Sequence, residues 1–400
     1  MLERRVGPIP AYYLSFNLYA LGNGLVGVFL NLFFLANYSY LAVLFFQIAT
    51  FAAALLAYLL CGHLLLRHSP KHLYVVGLAF FALVLVDMLS ARGALSSAFV
   101  FGGLWGAATG VFYAGNNPMM HDITQRADRT SFVAVNNLLT GAVSLVAPVS
   151  AGALIQYSTF SGVDRYLWDF AVTAGFFLLA VLVILRVRYD APRALGYSLA
   201  RAVRGPRPGY GRFQLFFAVS QLFVIPFGII LPIYVFQCTG SYLVTGVYAS
   251  YTVTLSVLAN LWFREGFRHD SGFAPGAVVG ILLSSLVLFT GFDPPVNAFV
   301  FAGVYTVLAT PLNNRAMVGF MEHIDQDRTV DRVLVWSNRE FYLGVGRLVV
   351  LGGMILSSTV LLRTSTALLF LLPFLSLYAL SYFGVVRPGS RPPTVPGPDL

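Results

Sequence analysis

The sequence has little charge. Asp, Glu, Lys and Arg make up 10% of its 400 residues, where a soluble domain carries about 25%. Hydrophobic residues make up 58%, and mean hydropathy is +0.77. Too few polar side chains are present to coat a water-soluble globule, so most of the surface must face lipid. Cysteine is nearly missing. Cys61 and Cys238 each stand alone in an apolar run, which excludes a disulfide framework and any cysteine-based metal spacing. Of 25 basic residues only Lys71 is lysine, a bias towards Arg codons and not a site. No phosphate-binding loop, nucleophile–base pair or metal-ligand cluster is visible, so neither an enzyme nor an ATP-driven pump is expected, and no cofactor or metal. His63 and His121 read as polar caps. The opening MLERRVGPIP lacks the pattern of a cleaved leader, so the first apolar run is expected to serve as the insertion signal.

What is present is a series of apolar runs, each long enough for the roughly 20 residues that cross the hydrocarbon core. Twelve are read: 12–36, 39–66, 71–91, 94–120, 131–157, 165–187, 212–237, 241–266, 272–291, 294–321, 333–359 and 363–385. The long connection 188–211, rich in Arg, Pro and Gly, separates two sets of six. Basic residues gather in alternate loops: Arg4 and Arg5, Arg67 and Lys71, Arg126 and Arg129, then Arg186 to Arg212 through the linker. The other side has Arg92, Arg165 and Arg363. This asymmetry belongs to membrane topology rather than nucleic-acid binding, and it puts both termini in the cytoplasm. The expected organisation is a six-helix half at 1–187, a basic cytoplasmic linker at 188–211, a second half at 212–386, and a disordered Pro-rich tail at 387–400.

The halves echo one another. Asn116-Asn117 recurs as Asn313-Asn314, Asp128-Arg129-Thr130 as Asp327-Arg328-Thr329, and Asn137 as Asn338. The offset grows from 197 residues (116 to 313) to 199 (128 to 327) and 201 (137 to 338). Ser-Tyr-Leu stands in the short turn after the first span and again after the seventh. A parallel repeat with polar groups inside the membrane is the mark of a transporter.

A polar group in hydrocarbon is costly unless it faces protein or a wet cavity, so placement is informative. Gly106, Gly110, Tyr113, Asn117 and Met120 share a stripe on the fourth span. Asn136, Thr140, Ser144 and Pro148 recur every four residues on the fifth, Asn17, Gly24 and Asn31 every seven on the first. Thr306, Thr310 and Asn313 form a stripe on the tenth. Two readings compete: close packing with Asn bonds between helices, and a solvated substrate path. Taken together the stripes favour a cavity bounded by Asn17, Asn31, Tyr113, Asn117, Asn136, Thr140, Thr310 and Asn313, with the Asn pairs nearer an inner gate. Charges are sharper. Arg339 and Glu340 lie about two turns into the eleventh span, and Arg347 lies near the midplane. Glu340 and Arg347 are separated by about 10 Å along the axis, so each needs another partner, Arg315 being one candidate. Glu340 is a candidate proton carrier, Arg347 and Arg339 candidate anion ligands, and a structural Arg–Glu lock is the third reading. Asp122 is placed to pair with Arg126 or Arg129.

Twelve spans, two similar halves, internal termini and a long basic linker make the whole chain resemble the major facilitator superfamily. After the second span that family carries Gly-x-Leu-Ala-Asp-Arg-x-Gly-Arg-Arg/Lys. Here GHLLLRHSPK matches at Gly62, Leu64, Arg67 and Lys71, with Leu66 in the acidic place and Ser69 at the second Gly. The usual charge relay therefore lacks its acid. The antiporter motif Gly-Pro-x-x-Gly-Gly is met in part by Ala147-Pro148-Val149-Ser150-Ala151-Gly152, and the usual Arg of the fourth span is absent. The resemblance implies an all-α membrane protein of twelve transmembrane helices in two pseudo-symmetric six-helix halves, rocking about a central path, usually monomeric. The expected function is secondary transport in the inner (plasma) membrane, by alternating access. Proton-coupled export of a small organic compound through Glu340 comes first. Symport or exchange of a small anionic metabolite follows, then lipid translocation, with a transport-inactive scaffold or sensor outside the class. Arg315, Arg339, Glu340, Asp122 and Arg67 are the expected coupling or gating residues. The partners are the bilayer, a small-molecule substrate and protons, with no nucleic acid.

Overall fold

The computed structural model describes residues 8–90, 95–123, 129–160, 162–187, 189, 196–205, 211–262, 273–290, 293–326, 332–357, 375 and 378. The expected twelfth span lies outside them apart from Leu375 and Tyr378, as do Arg126, the Asp128 and Asp327-Arg328-Thr329 echo and the tail. The described chain is helical: α1 (Pro8–Val26), α2 (Phe29–Asn37), α3 (Tyr40–Leu64), α4 (Pro70–Ser90), α5 (Leu95–Ile123), α6 (Arg129–Gln156), α7 (Leu167–Leu185), α8 (Leu199–Arg204), α9 (Gly211–Thr239), α10 (Tyr242–Trp262), α11 (Phe273–Ser284), α12 (Pro294–Gln326) and α13 (Arg332–Leu356). Nine stretches among the described residues are long and apolar enough to cross a membrane. Outward-facing Leu56, Leu60, Leu83, Leu182, Leu215 and Leu258 are exposed, as lipid-facing side chains must be.

The first expected span breaks in two at Gly27, whose N–H still bonds the Asn23 carbonyl at 2.8 Å. Prolines 118, 148, 226, 232 and 311 sit inside continuous helices. Each removes one backbone donor and loosens the helix locally.

Helices α1 and α3–α7 pack mainly among themselves, and so do α9–α13. Aromatic side chains fill both groups: Tyr19, Phe81, Phe112 and Phe177 in the first, Phe223, Phe227, Phe301 and Tyr305 in the second. Two seams join the groups, α6 against α10 and α3 against α13. Glycine makes the first seam close. A Cβ on Gly152 would stand 2.6 Å from the Tyr242 carbonyl oxygen, and one on Gly246 2.3 Å from that of Pro148.

The sequence echo has a structural meaning. Ser39 and Ser241 cap α3 and α10, their hydroxyls accepting from the N–H of Ala42 and Val244. Tyr58 stands 18 residues after Tyr40, and Asn260 stands 18 after Tyr242. Tyr58 accepts from Asn117 Nδ2 at 3.2 Å, and Asn260 accepts from Asn314. Asn116 accepts from the Tyr12 hydroxyl and Asn313 from the Tyr378 hydroxyl. The bonds of Asn117 and Asn314 are thus equivalent, α5 to α3 and α12 to α10, while Asn116 and Asn313 bond non-equivalent partners.

The connection between the groups holds a short helix that the sequence reading did not expect. Ala202 of α8 is fully buried against Leu59 and Leu334, with Tyr197 beside it. This end, where the linker lies, is the linker face. The opposite end, where α10 begins, is the hairpin face.

Candidate functional site

The site is built where the α3/α13 seam reaches mid-helix. Arg347 of α13 donates through Nε to Gln221 Oε1 of α9 at 2.9 Å. Its guanidinium carbon lies 5.0 Å from the centroid of the Phe51 ring on α3, within cation–π range. Tyr113 of α5 is within electrostatic reach of Arg347, Glu340 and Arg339. Behind it, Tyr19 donates to the Tyr113 hydroxyl at 3.3 Å. Arg347 therefore stands between the two helix groups. Gln221 fixes Nε, and no described residue accepts from the terminal nitrogens.

One helical stretch nearer the linker face, Arg339 donates to Glu340 Oε1 at 2.6 Å. Its guanidinium carbon lies 5.2 Å from the Phe217 ring and 5.4 Å from the Trp336 ring. The partner sought for Glu340 is thus its own neighbour, and the partner of Arg347 is an amide. The side chain of Arg315 lies outside the described set, so it carries no role here. Glu340 is thus directly paired with Arg339 and acts on Arg347 only at a distance.

The remaining expected residues divide. Asn17 accepts from Thr140 Oγ1 at 3.1 Å, which ties α1 to α6. Thr310 shares a hydrogen bond of 3.1 Å with Ser256, which ties α12 to α10. Asn31 accepts from Gln47 at 2.6 Å, which ties α2 to α3. Asn117 is taken up by Tyr58 and Asn313 by Tyr378. Asn136 is buried with its Oδ1 unpartnered. Gly106 and Gly110 press on the backbone of α3. The structure brings Arg347, Glu340, Arg339 and Tyr113 together, while Asn31, Asn117 and Asn313 each take part in a hydrogen bond to another segment. Gln221, Phe51 and Tyr19 were not foreseen. A lone amide inside the run AVSQLFVIP is the signal that could have found Gln221.

The loop residues act at the linker face. Lys71 donates to the carbonyls of Leu185 (3.1 Å) and Val187 beyond the end of α7. It satisfies a helix terminus that would otherwise lack donors. Asp122 accepts from the Tyr189 hydroxyl at 2.6 Å. Burial, and after it the hydrogen bond and charge of Asp122, push the Tyr189 phenol well above its ordinary value, so it stays a donor. Arg67 is exposed on the turn after α3.

The linker straps the seam. Tyr197 donates to the Leu59 carbonyl of α3 at 2.8 Å, and its ring lies where a Cβ on Gly62 would be, 2.3 Å away. Asn338 of α13 donates to the Ala202 carbonyl at 2.7 Å and accepts from Gln214 at 3.0 Å. Gly205 closes α8 at φ 95°, a conformation that favours glycine. Asn338→Ala leaves buried carbonyls without a donor, a cost of about 1–3 kcal/mol. We expect trypsin to cut at exposed Arg201 and Arg204 several-fold faster in that variant; an unchanged rate would mean Asn338 does not hold the strap.

A family model described as Major Facilitator Superfamily matches residues 12–326. No curated protein matches the sequence. Among solved structures, an inward-facing bacterial homologue of the iron transporter ferroportin superposes with a TM-score of 0.70 at 12% identity, covering 95% of this chain and 99% of the other. The nucleoside transporter NupG gives 0.68 at 14%, covering 95% and 100%. The E. coli fucose:proton symporter FucP gives 0.64 at 14%, covering 95% and 98%. At these identities the likeness speaks for the fold.

Proposed function

The chain belongs to the major facilitator superfamily, and from that premise we propose that it is a carrier for a small organic anion, alternating between states open to either side. The linker face is cytoplasmic in this reading, and the second half runs to the expected twelfth span. One observation carries it: Arg347 is a cation at mid-helix, oriented by Gln221, whose terminal nitrogens find no acceptor among the described residues. A charge at that depth needs a partner. A carboxylate or phosphate monoester of metabolite size supplies one through two parallel N–H bonds. Phe51 and Tyr113 give such a ligand an apolar wall and a hydroxyl on the opposite helix group. The test is counterflow in proteoliposomes loaded with one unlabelled solute class at a time. Small organic anions should drive uptake of the labelled anion; exchange confined to cations or neutral solutes sinks the reading.

Export coupled to protons through Glu340 is the second reading. It is favoured by the fact that Glu340 is the acid acting on Tyr58, Tyr113 and Arg347 together. The two readings part at Glu340→Gln. A unit charge about 10 Å from Arg347, at an effective dielectric near 20, is worth about 1–2 kcal/mol. Under the anion reading, removing it should tighten anion binding several-fold and leave the pH profile of exchange in place. A flattened pH profile with unchanged affinity would favour the proton route.

A further inference from the structure

At the hairpin face the two helix groups meet around Tyr242. Tyr166 donates to its hydroxyl at 3.2 Å, and its own N–H donates to Gln156 Oε1 at 3.0 Å. The Arg165 guanidinium carbon lies 5.6 Å from its ring centroid, and Arg165 Nε is buried there without an acceptor. Four residues on, in the first turn of α7, Asp169 is 0% exposed and neither carboxylate oxygen has a hydrogen bond. Thr173, four further, is equally buried with its hydroxyl unpartnered.

Beside Asp169 in the chain lie buried Phe170 and Tyr166. Phe33 of α2 packs on Phe170 and Tyr166. The titratable groups on the elements against α7 are few. On α1 they are Tyr12, Tyr13 and Tyr19, and on α4 Lys71, His72 and Tyr74, nearer the linker face, with exposed Asp87 towards the hairpin face. Tyr38 follows α2, and exposed Tyr157 follows α6, which carries Arg129 at its other end. Before α7 stand exposed Asp164, half-buried Arg165 and buried Tyr166. Tyr166 is within electrostatic reach of Asp169 and offers no positive charge. An ionised carboxylate with neither donor nor counter-charge is strongly disfavoured in such a place. Residues four apart on a helical face can pair, and Arg165 is the nearest base along the chain. In this structure it is drawn away onto Tyr242.

We propose that Asp169 is a proton-binding site tied to the seam at Tyr242: with the seam shut Arg165 lies on Tyr242 and Asp169 holds a proton, and with the seam open Arg165 turns back to Asp169 and the proton leaves. In the releasing step the O–H bond of the Asp169 carboxyl breaks and the proton passes to water entering the opened seam. The electron pair stays on the carboxylate, which the unchanged guanidinium neutralises. The inference rests on the alternating-access reading above and supplies a coupling ion which that reading leaves open.

The test uses spin labels on the native Cys238 and on Tyr157→Cys, both exposed at the hairpin face, with buried Cys61 replaced by Ala. Electron–electron distances are measured in lipid nanodiscs at pH 5 and pH 9. The parent should gain a longer-distance population at pH 9. Asp169→Asn, a neutral isostere, should lose that gain, and Arg165→Gln should lose it too because the open state has no counter-charge. An Asp169→Asn protein that opens like the parent, or a parent whose distances ignore pH, overturns the proposal. Should Asp169→Asn fail to fold, Arg165→Gln decides alone, and a parent-like response from it overturns the proposal equally. Anion counterflow at fixed pH judges the carrier reading separately.

Discussion

Replacing Arg347 with glutamine should raise the dissociation constant for a small organic anion about 10- to 100-fold. Hydrogen bonds to charged groups contribute about 1.5–3 kcal/mol, and each 1.4 kcal/mol is about tenfold. The folded protein should tolerate the change, because among the described residues the guanidinium bonds one side chain, Gln221, and its remaining nitrogens have no acceptor to strand. Arg347→Lys should fall between, since an ammonium keeps the charge but cannot present a planar fork or stay bonded to Gln221 in the same way. Gln221→Leu should weaken binding several-fold while leaving the charge in place, because the guanidinium loses the amide that orients it. Titrations of all three variants by isothermal calorimetry read these differences. Parent-like affinity in Arg347→Gln would place anion recognition elsewhere.

The second large effect concerns the fold. Gly106→Val should cost well over 1 kcal/mol and sharply lower the yield of monodisperse protein. A Cβ on Gly106 would stand 2.0 Å from the Thr50 carbonyl oxygen and 2.8 Å from its Cα. These are backbone atoms of α3 and cannot swing aside. On either side, Gly102 would meet the Phe46 carbonyl oxygen at 2.3 Å and Gly110 that of Ala54 at 2.4 Å. Three glycines four residues apart thus lay α5 against three carbonyls four residues apart on α3, close enough for Cα–H···O contacts. Overpacking a tight contact costs about 1–3 kcal/mol, and more when neither side can yield. Gly103→Val is the control: nothing lies within 4 Å of its Cβ position, so its melting temperature should match the parent. Equal behaviour of the two variants would show that the glycine stripe is not what sets the α3/α5 distance.

The same stripe shows where sequence reading succeeds and where it stops. Apolar length is one-dimensional, so nine of the twelve expected spans were legible and recur among the described residues. The repeat was legible because each copy keeps the same bonds, Asn117 to Tyr58 and Asn314 to Asn260. A four-residue periodicity says which residues share a face but not what that face meets. Gly106 and Asn117 were read as cavity wall and are helix contacts. Arg347 was legible because a charge so deep has few uses, whereas Phe51 and Tyr19 look like any aromatic in a membrane span. Asp169 was passed over because an acid in the first turn of a helix usually faces water at the positive end of the dipole. Only the packing shows it to be wholly enclosed. Helix α8 escaped because six residues, LARAVR, carry no periodic signal. Its buried face is defined by Asn338 and Leu59, more than 100 residues away on either side.

The measurement closest to the central claim is a thermal-shift screen of the detergent-purified parent and Arg347→Gln, side by side, at one pH. The ligands are small carboxylates and phosphate monoesters, with nucleosides, neutral sugars and amines of similar size for comparison. A ligand that binds the folded state raises its melting temperature. The account expects shifts with anions, absent in Arg347→Gln. Shifts with neutral or cationic ligands, or anion shifts that survive the substitution, would contradict it.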